Sequence, residues 1–255
     1  MILNYEKYDF TPPWEKRTPV VLIHGLGADN TTWFYQTGEL VKYFPVVALD
    51  LPGFGKSRLA EEDLTIEYMG KCVYETIKST GAVKAHIAGI SLGSFVSLEV
   101  ATAYPDMVDK LVLISAPYTF INENIDENMK LVESYSHMNL AEVAKERISH
   151  AFSSGGKKEA MDFLGDIIGK SDPNVYIASA TSVLKYYSHE KYSKVKAKTL
   201  ILNSELDYLA PPCDAEKINN AIGGSKKVIL KQTGHASCLD NPLEVNKELI
   251  KFLNN

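Results

Sequence analysis

Cysteine is scarce in this chain: Cys72, Cys213 and Cys238 are the only three, and they stand far apart. No CxxC pair or zinc-type spacing is present, which argues against a disulfide framework or a structural zinc site. Long apolar runs are also missing. The longest, such as LVLIS at 111–115, are the length of a strand and far short of a membrane span. The first ten residues, MILNYEKYDF, contain acidic side chains and no continuous apolar stretch, so no secretory signal is expected. Excess charge is absent as well. A net charge of −5 disfavours nucleic acid or an anionic membrane as a partner. Sparse thiols in an unexported chain point to the cytoplasm.

What remains is ordinary globular composition, 45% hydrophobic and 23% charged over 255 residues. Short runs rich in β-branched residues recur: VVLIH (20–24), PVVALD (45–50), AHIAG (85–89), LVLIS (111–115), TLILN (199–203) and KVIL (227–230). They are continuously apolar rather than alternating, the pattern of strands buried on both faces. Helix-length segments lie between several of them, at 63–81 and 91–105. The expected fold class is therefore α/β, a mostly parallel central sheet flanked by helices.

The alternation stops after Pro117. Residues 118–190 offer no strand run, only amphipathic stretches at 139–152 and 156–169, with Gly-Gly at 155–156 and Asp-Pro at 172–173. A single crossover does not need a segment of that length. The expected organisation is a core domain from 1–117 and 191–255, with a helical cap insertion at 118–190.

The sequence GISLG at 89–93 places Ser91 between two glycines. By composition alone such a motif arises by chance in about one chain in ten of this length, so its setting matters. AHIAG precedes it as a strand and LGSFVSLEVATAY follows as a helix. A serine in so sharp a turn has its hydroxyl thrust outward, and Gly89 and Gly93 leave room for the two legs to pass. The following helix start supplies backbone N–H groups near that hydroxyl. No G-x-G-x-x-G or Walker-type lysine accompanies it, which disfavours a nucleotide loop.

Taken with HGLG (24–27), DLPGFGKS (50–57), ELDYLAPP (205–212) and GHASCLDNP (234–242), in that order, the chain resembles the α/β-hydrolase-fold superfamily from about residue 18 to its C-terminus. The resemblance implies a serine-hydrolase branch, since other branches carry aspartate or cysteine where this chain has Ser91. It implies Ser91 as nucleophile, His235 as general base and Asp207 as the acid that orients it, with Glu205 and Asp214 as nearby competitors. The backbone N–H groups of Leu26 and Leu92 correspond to an oxyanion hole. His24 has the position of a loop-organising residue, and Asp50 with Gly53 and Gly55 that of a structural turn. Asp240 is expected to cap the final helix, with Asn241 as the alternative.

The implied chemistry is hydrolysis of carboxylic esters of small to medium, partly apolar molecules through an acyl-enzyme. No metal and no cofactor is expected, because no His/Asp/Glu cluster has ligand spacing. Tyr118, Phe120, Phe152, Phe163, Tyr186 and Tyr187 are candidates to line a covered pocket, or else to form the insertion's own core. An enol-lactonase or a carbon–carbon bond hydrolase of ring-cleavage products is the alternative, the latter weakened by Ala236 where many members carry an aromatic. A ligand receptor with a silent triad is the alternative of another class.

Overall fold

The computed structural model describes residues 1–59, 63–120 and 124–255. Seven strands form one sheet: β1 (Tyr5–Tyr8), β2 (Val20–Ile23), β3 (Val46–Leu49), β4 (Ala85–Ile90), β5 (Val108–Ile114), β6 (Lys198–Ser204) and β7 (Lys226–Leu230). Their spatial order is β1-β3-β2-β4-β5-β6-β7. Only β1 runs antiparallel to its neighbour; β2 to β7 pair in parallel. The six apolar runs of the sequence all become strands. β1 was not anticipated: its YEKY has three exposed residues and supplies an edge rather than core.

Alternate residues of the inner strands enter opposite cores, as the pleat requires. Val21, Ile23, Ile87, Leu111, Leu113 and Ile201 face one side, with α2 (Ile66–Ser79), α3 (Leu92–Ala103) and α8 (Pro212–Ala221). Val20, Leu22, Ala88, Val112, Ile114 and Leu202 face the other, with α1 (Phe34–Leu40), α9 (Ser237–Asp240) and α10 (Pro242–Leu253). Burial on both faces explains why these strands read as unbroken apolar runs.

Between β5 and β6 the chain passes through α4 (Ile125–Ser134), α5 (Leu140–Ala151), α6 (Lys158–Gly169) and α7 (Pro173–Lys185), with no strand among the described residues. Asn139 caps α5 by accepting from Ala141 N, and Asp172 caps α7 ahead of Pro173. These helices bury a third cluster that includes Val143, Ile148, Phe152, Ile168 and Tyr176, and that reaches Ala236 and Leu239 beside the sheet.

Candidate active site

Loops at the carboxyl ends of the parallel strands converge on one point, the usual location for chemistry in such sheets. Ser91 stands between β4 and α3 at φ 55 and ψ −116, in the left-handed region that a side chain occupies only under constraint. Its N–H donates to Ile114 O at 3.0 Å, which pins the turn to β5. The two glycines are sterically required. A Cβ on Gly93 would lie 2.6 Å from His24 O and still closer to Ile23 O, while one on Gly89 would strike Gly93 O and Ser97 Oγ. The β2 and α3 backbones can therefore approach this closely only because position 93 is bare.

His235 follows β7 and extends Nε2 to 2.9 Å from Ser91 Oγ. Its Nδ1 donates to the Asp207 carboxylate, 2.9 Å from Oδ1 and 2.8 Å from Oδ2. Asp207 follows β6 and is buried, and its Oδ1 also accepts from Leu209 N at 2.9 Å and Ala210 N at 2.8 Å. Those backbone donors hold the carboxylate in place and satisfy its charge. The competing acids are occupied elsewhere. Glu205 pairs with Lys231 and accepts from Gln232 N, and Asp214 accepts from Tyr118 N and pairs with Lys217.

The loop after β2 lies against the elbow. Gly25 comes close enough that a Cβ there would be 3.6 Å from Ser91 Cβ, so Leu26 belongs to the same site and lines its cavity. Leu92 is the first residue of α3, where a backbone N–H has no partner within the helix. His24 is fully buried and accepts from Leu51 N at 2.9 Å through Nε2, leaving Nδ1 to donate to Gly25 O at 2.8 Å. Burial holds its pKa below the usual imidazole value despite the raising influences of the Gly25 carbonyl and Asp50. A neutral His24 thus fastens the HGLG loop to the loop after β3. Asp50 braces that second loop by accepting from Asn30 N, Lys56 N and Asn4 Nδ2.

Several positioning groups lay outside the sequence-based reading. Ser115, at φ 44 just beyond β5, donates its hydroxyl to His235 O at 2.8 Å. Asp240 corrects an expectation: its side chain does not cap α10. It accepts from Gly234 N at 2.7 Å, Ser153 N at 3.0 Å and Ser153 Oγ at 3.0 Å, joining the His235 turn to the inserted helices. Asn241 holds the N-cap position of α10 without a side-chain cap bond and donates instead to Thr233 Oγ1. Ala236 N adds a bond to Ala151 O at 2.8 Å, so both neighbours of His235 are tied to the end of α5.

Ser91 and His235 open into a cavity of about 100 Å³, walled by Trp33, Ile90, Ile148, Leu164, Ile168 and Leu239 among others, with Arg147 entering from α5. Of the two readings of the aromatics, the covered pocket is corrected here. None of Tyr118, Phe120, Phe152, Phe163, Tyr186 and Tyr187 lines this cavity. Phe152 is buried in the third cluster, Tyr186 bonds Glu99 at 2.7 Å, Tyr118 stacks on Tyr192, and Tyr187 is exposed. Trp33, from the loop after β2, is the aromatic wall. Cys238 also faces the cavity, but burial pushes its thiol pKa well up, so it is no rival nucleophile. Among the described residues no group of three His, Cys, Asp or Glu side chains is placed to hold a metal, and no helix is long and apolar enough to cross a membrane.

Residues 18–166 match the alpha/beta hydrolase fold family, more than half of the 255-residue chain. The chain belongs to that family. This alpha/beta hydrolase is 24% identical over 249 residues to the AB hydrolase superfamily protein YisY of Bacillus subtilis, with 92% of this chain and 91% of that protein covered. An enol-lactonase from Burkholderia xenovorans superposes with a TM-score of 0.90 at 19% identity, covering 99% of this chain and 96% of that one. A thermophilic esterase from Thermogutta terrifontis gives a TM-score of 0.90 at 24% identity, covering 99% and 93%. At such identities the structural likeness speaks for the fold, and the chemistry has to be argued from the site itself.

Proposed function

We propose that this alpha/beta hydrolase is a serine hydrolase that cleaves carboxylic esters of small to medium, partly apolar molecules. The observation that carries the reading is the unbroken series Asp207–His235–Ser91, with each bond at hydrogen-bond distance and the hydroxyl facing a mainly apolar cavity. Ser91 Oγ attacks the ester carbonyl carbon as its proton passes to His235 Nε2. The carbonyl π electrons move to oxygen, and that oxyanion is held by the N–H groups of Leu26 and Leu92. Collapse breaks the C–O bond to the alcohol, which leaves with the proton from His235. His235 then deprotonates a water that attacks the acyl carbon, releasing the acid and returning the proton to Ser91.

Asp207 supports this cycle by keeping Nδ1 protonated and stabilising the imidazolium. The 118–190 segment acts as the cap, because Arg147, Ile148, Leu164 and Ile168 close the cavity from above the sheet. A lactone is a cyclic ester and follows the same acyl route, so it belongs on the substrate panel.

The test is fluorophosphonate labelling with peptide mapping. A single adduct on Ser91 is expected, absent in Ser91→Ala and strongly slowed in His235→Ala. Ester turnover in Ser91→Ala is expected to fall by roughly 10⁴-fold or more. An unlabelled folded protein, or full esterase activity in Ser91→Ala, would overturn the reading.

A further inference from the structure

Among the described residues, Arg147 is the one of fixed charge that lines the Ser91 cavity, and no acidic side chain shares the lining with it. It sits on α5, one turn before Ala151, and Arg147, Ile148 and Ala151 present one helix face to the cavity. The Ala151 carbonyl in turn binds Ala236 N, next to His235. Arg147 and the reacting groups Ser91 and His235 thus line the same cavity.

Among the described residues no carboxylate forms an ion pair with Arg147; its recorded bond is a long one to Tyr135 Oη at 3.5 Å. A guanidinium carries five N–H donors in a planar fork, and one long bond to Tyr135 leaves donors free for a ligand. Trp33, fully buried in the same lining, has an indole Nε1–H with no partner either. The protein is acidic overall, so a cation retained in an apolar cavity is not explained by general surface charge.

We propose that Arg147 is a specificity-determining residue that receives a carboxylate on the substrate, making the preferred substrates esters or lactones of dicarboxylic type, with one carboxyl esterified and the other free. The inference rests on the serine-hydrolase reading for the bond cleaved, and independently on Arg147 for the anion. A planar carboxylate fits the fork in two parallel bonds, and one negative charge balances the single cation. A phosphate dianion would find only one cationic side chain and is the less matched anion.

The experiment compares p-nitrophenyl hemiglutarate with neutral p-nitrophenyl pentanoate, in the wild-type protein and in Arg147→Met and Arg147→Lys. The wild type is expected to favour the hemiglutarate by about tenfold or more in kcat/KM, chiefly through KM. Arg147→Met should remove that preference, and Arg147→Lys should keep part of it. Taking the ratio of two substrates cancels any general loss of folded enzyme, which a purely structural role for Arg147 would produce. A preference unchanged in Arg147→Met, or a wild type that prefers the pentanoate, overturns the proposal while leaving the hydrolase reading intact. If neither ester turns over and Ser91 resists labelling, the hydrolase reading falls alone, and calorimetric titration of Ser91→Ala with monomethyl glutarate decides the anion site. Binding lost in Ser91→Ala/Arg147→Met sustains it, and no binding to Ser91→Ala ends it.

Discussion

Ser91 occupies a backbone conformation that costs a non-glycine residue on the order of 1–3 kcal/mol, and the turn survives because its surroundings allow no other path. Its N–H is taken by Ile114 O, and the bare Gly93 lets α3 press against the carbonyls of Ile23 and His24. Those carbonyls belong to the end of β2, where the loop carrying Leu26 begins. Position 93 therefore fixes the distance between hydroxyl and loop as well as the packing. Gly93→Ala is expected to cost about 3 kcal/mol or more, because the clash is with backbone and not with a side chain that can turn away. Urea unfolding reads the stability. Fluorophosphonate labelling of the folded fraction should slow at least tenfold, because the elbow cannot keep its shape. Gly38→Ala is the control: a Cβ there meets nothing within 4 Å, so neither stability nor labelling should suffer.

At the scale of elements, two carboxylates tie the inserted helices to the rest of the fold. On one side Glu99 of α3, itself buried, accepts from Tyr186 Oη and from Lys191 Nζ, and Tyr186 closes the chain just after α7. On the other, Asp240 gathers Gly234 N, Ser153 N and Ser153 Oγ. Asp240→Ala strands both N–H groups and frees the turn that presents His235. The expected result is a fall in kcat/KM of about 10- to 100-fold with KM little changed. Asp240→Asn should recover most of it, since an amide oxygen can accept both N–H bonds while its NH₂ donates to Ser153 Oγ. Equal loss in both variants would show that the charge, not the bonding pattern, matters. This second role is the kind of feature a linear reading misses. The inner strands were legible because burial on both faces leaves an unbroken apolar run; Ser91 stood out in its glycine-flanked turn after such a run, and Asp207 and His235 stood out through the resemblance to the α/β-hydrolase-fold order. Asp240 sits next to a helix start, where capping is the local inference, and its actual partner Ser153 is 87 residues away. The aromatics stayed between two readings for a related reason: residue type foretells burial but not which of two neighbouring interiors receives the ring. Arg147 gave no signal at all, as one charged residue among several on an amphipathic helix.

Across the whole molecule, the opposite end of the sheet from Ser91 bears another buried histidine with a different consequence. His86, at the start of β4, lies in a polar cleft with Arg17, Lys42, Phe44, Asp109 and Lys110 around it. Its Nδ1 is 3.2 Å from Asp109 Oδ2, in an arrangement too poorly aligned to count as a hydrogen bond, and the Phe44 ring packs edge-on to the imidazole. Burial lowers its pKa to about 4; Asp109 opposes the shift and Lys110 adds to it. The folded state therefore refuses a proton that the unfolded chain accepts near the ordinary value of about 6.5. Between those two values the unfolded state binds more protons, so stability is full above roughly pH 6.5 and is lost as pH falls toward 4. The pKa difference alone sets a ceiling of about 3 kcal/mol, and water in the open cleft screens this to about 1–2 kcal/mol. His24 is shifted in the same direction, so the wild-type slope contains both histidines. His86→Gln isolates one of them. Urea midpoints at pH 7 and pH 5 should differ less in His86→Gln than in the wild type, by an amount equivalent to about 1 kcal/mol. Because the cleft lies away from Ser91, the rate of fluorophosphonate labelling at pH 7 should be the same in both proteins. An undiminished slope would mean that the Asp109 carboxylate stabilises a protonated His86 after all, and that the acid sensitivity of the fold resides in His24 and the loops it joins.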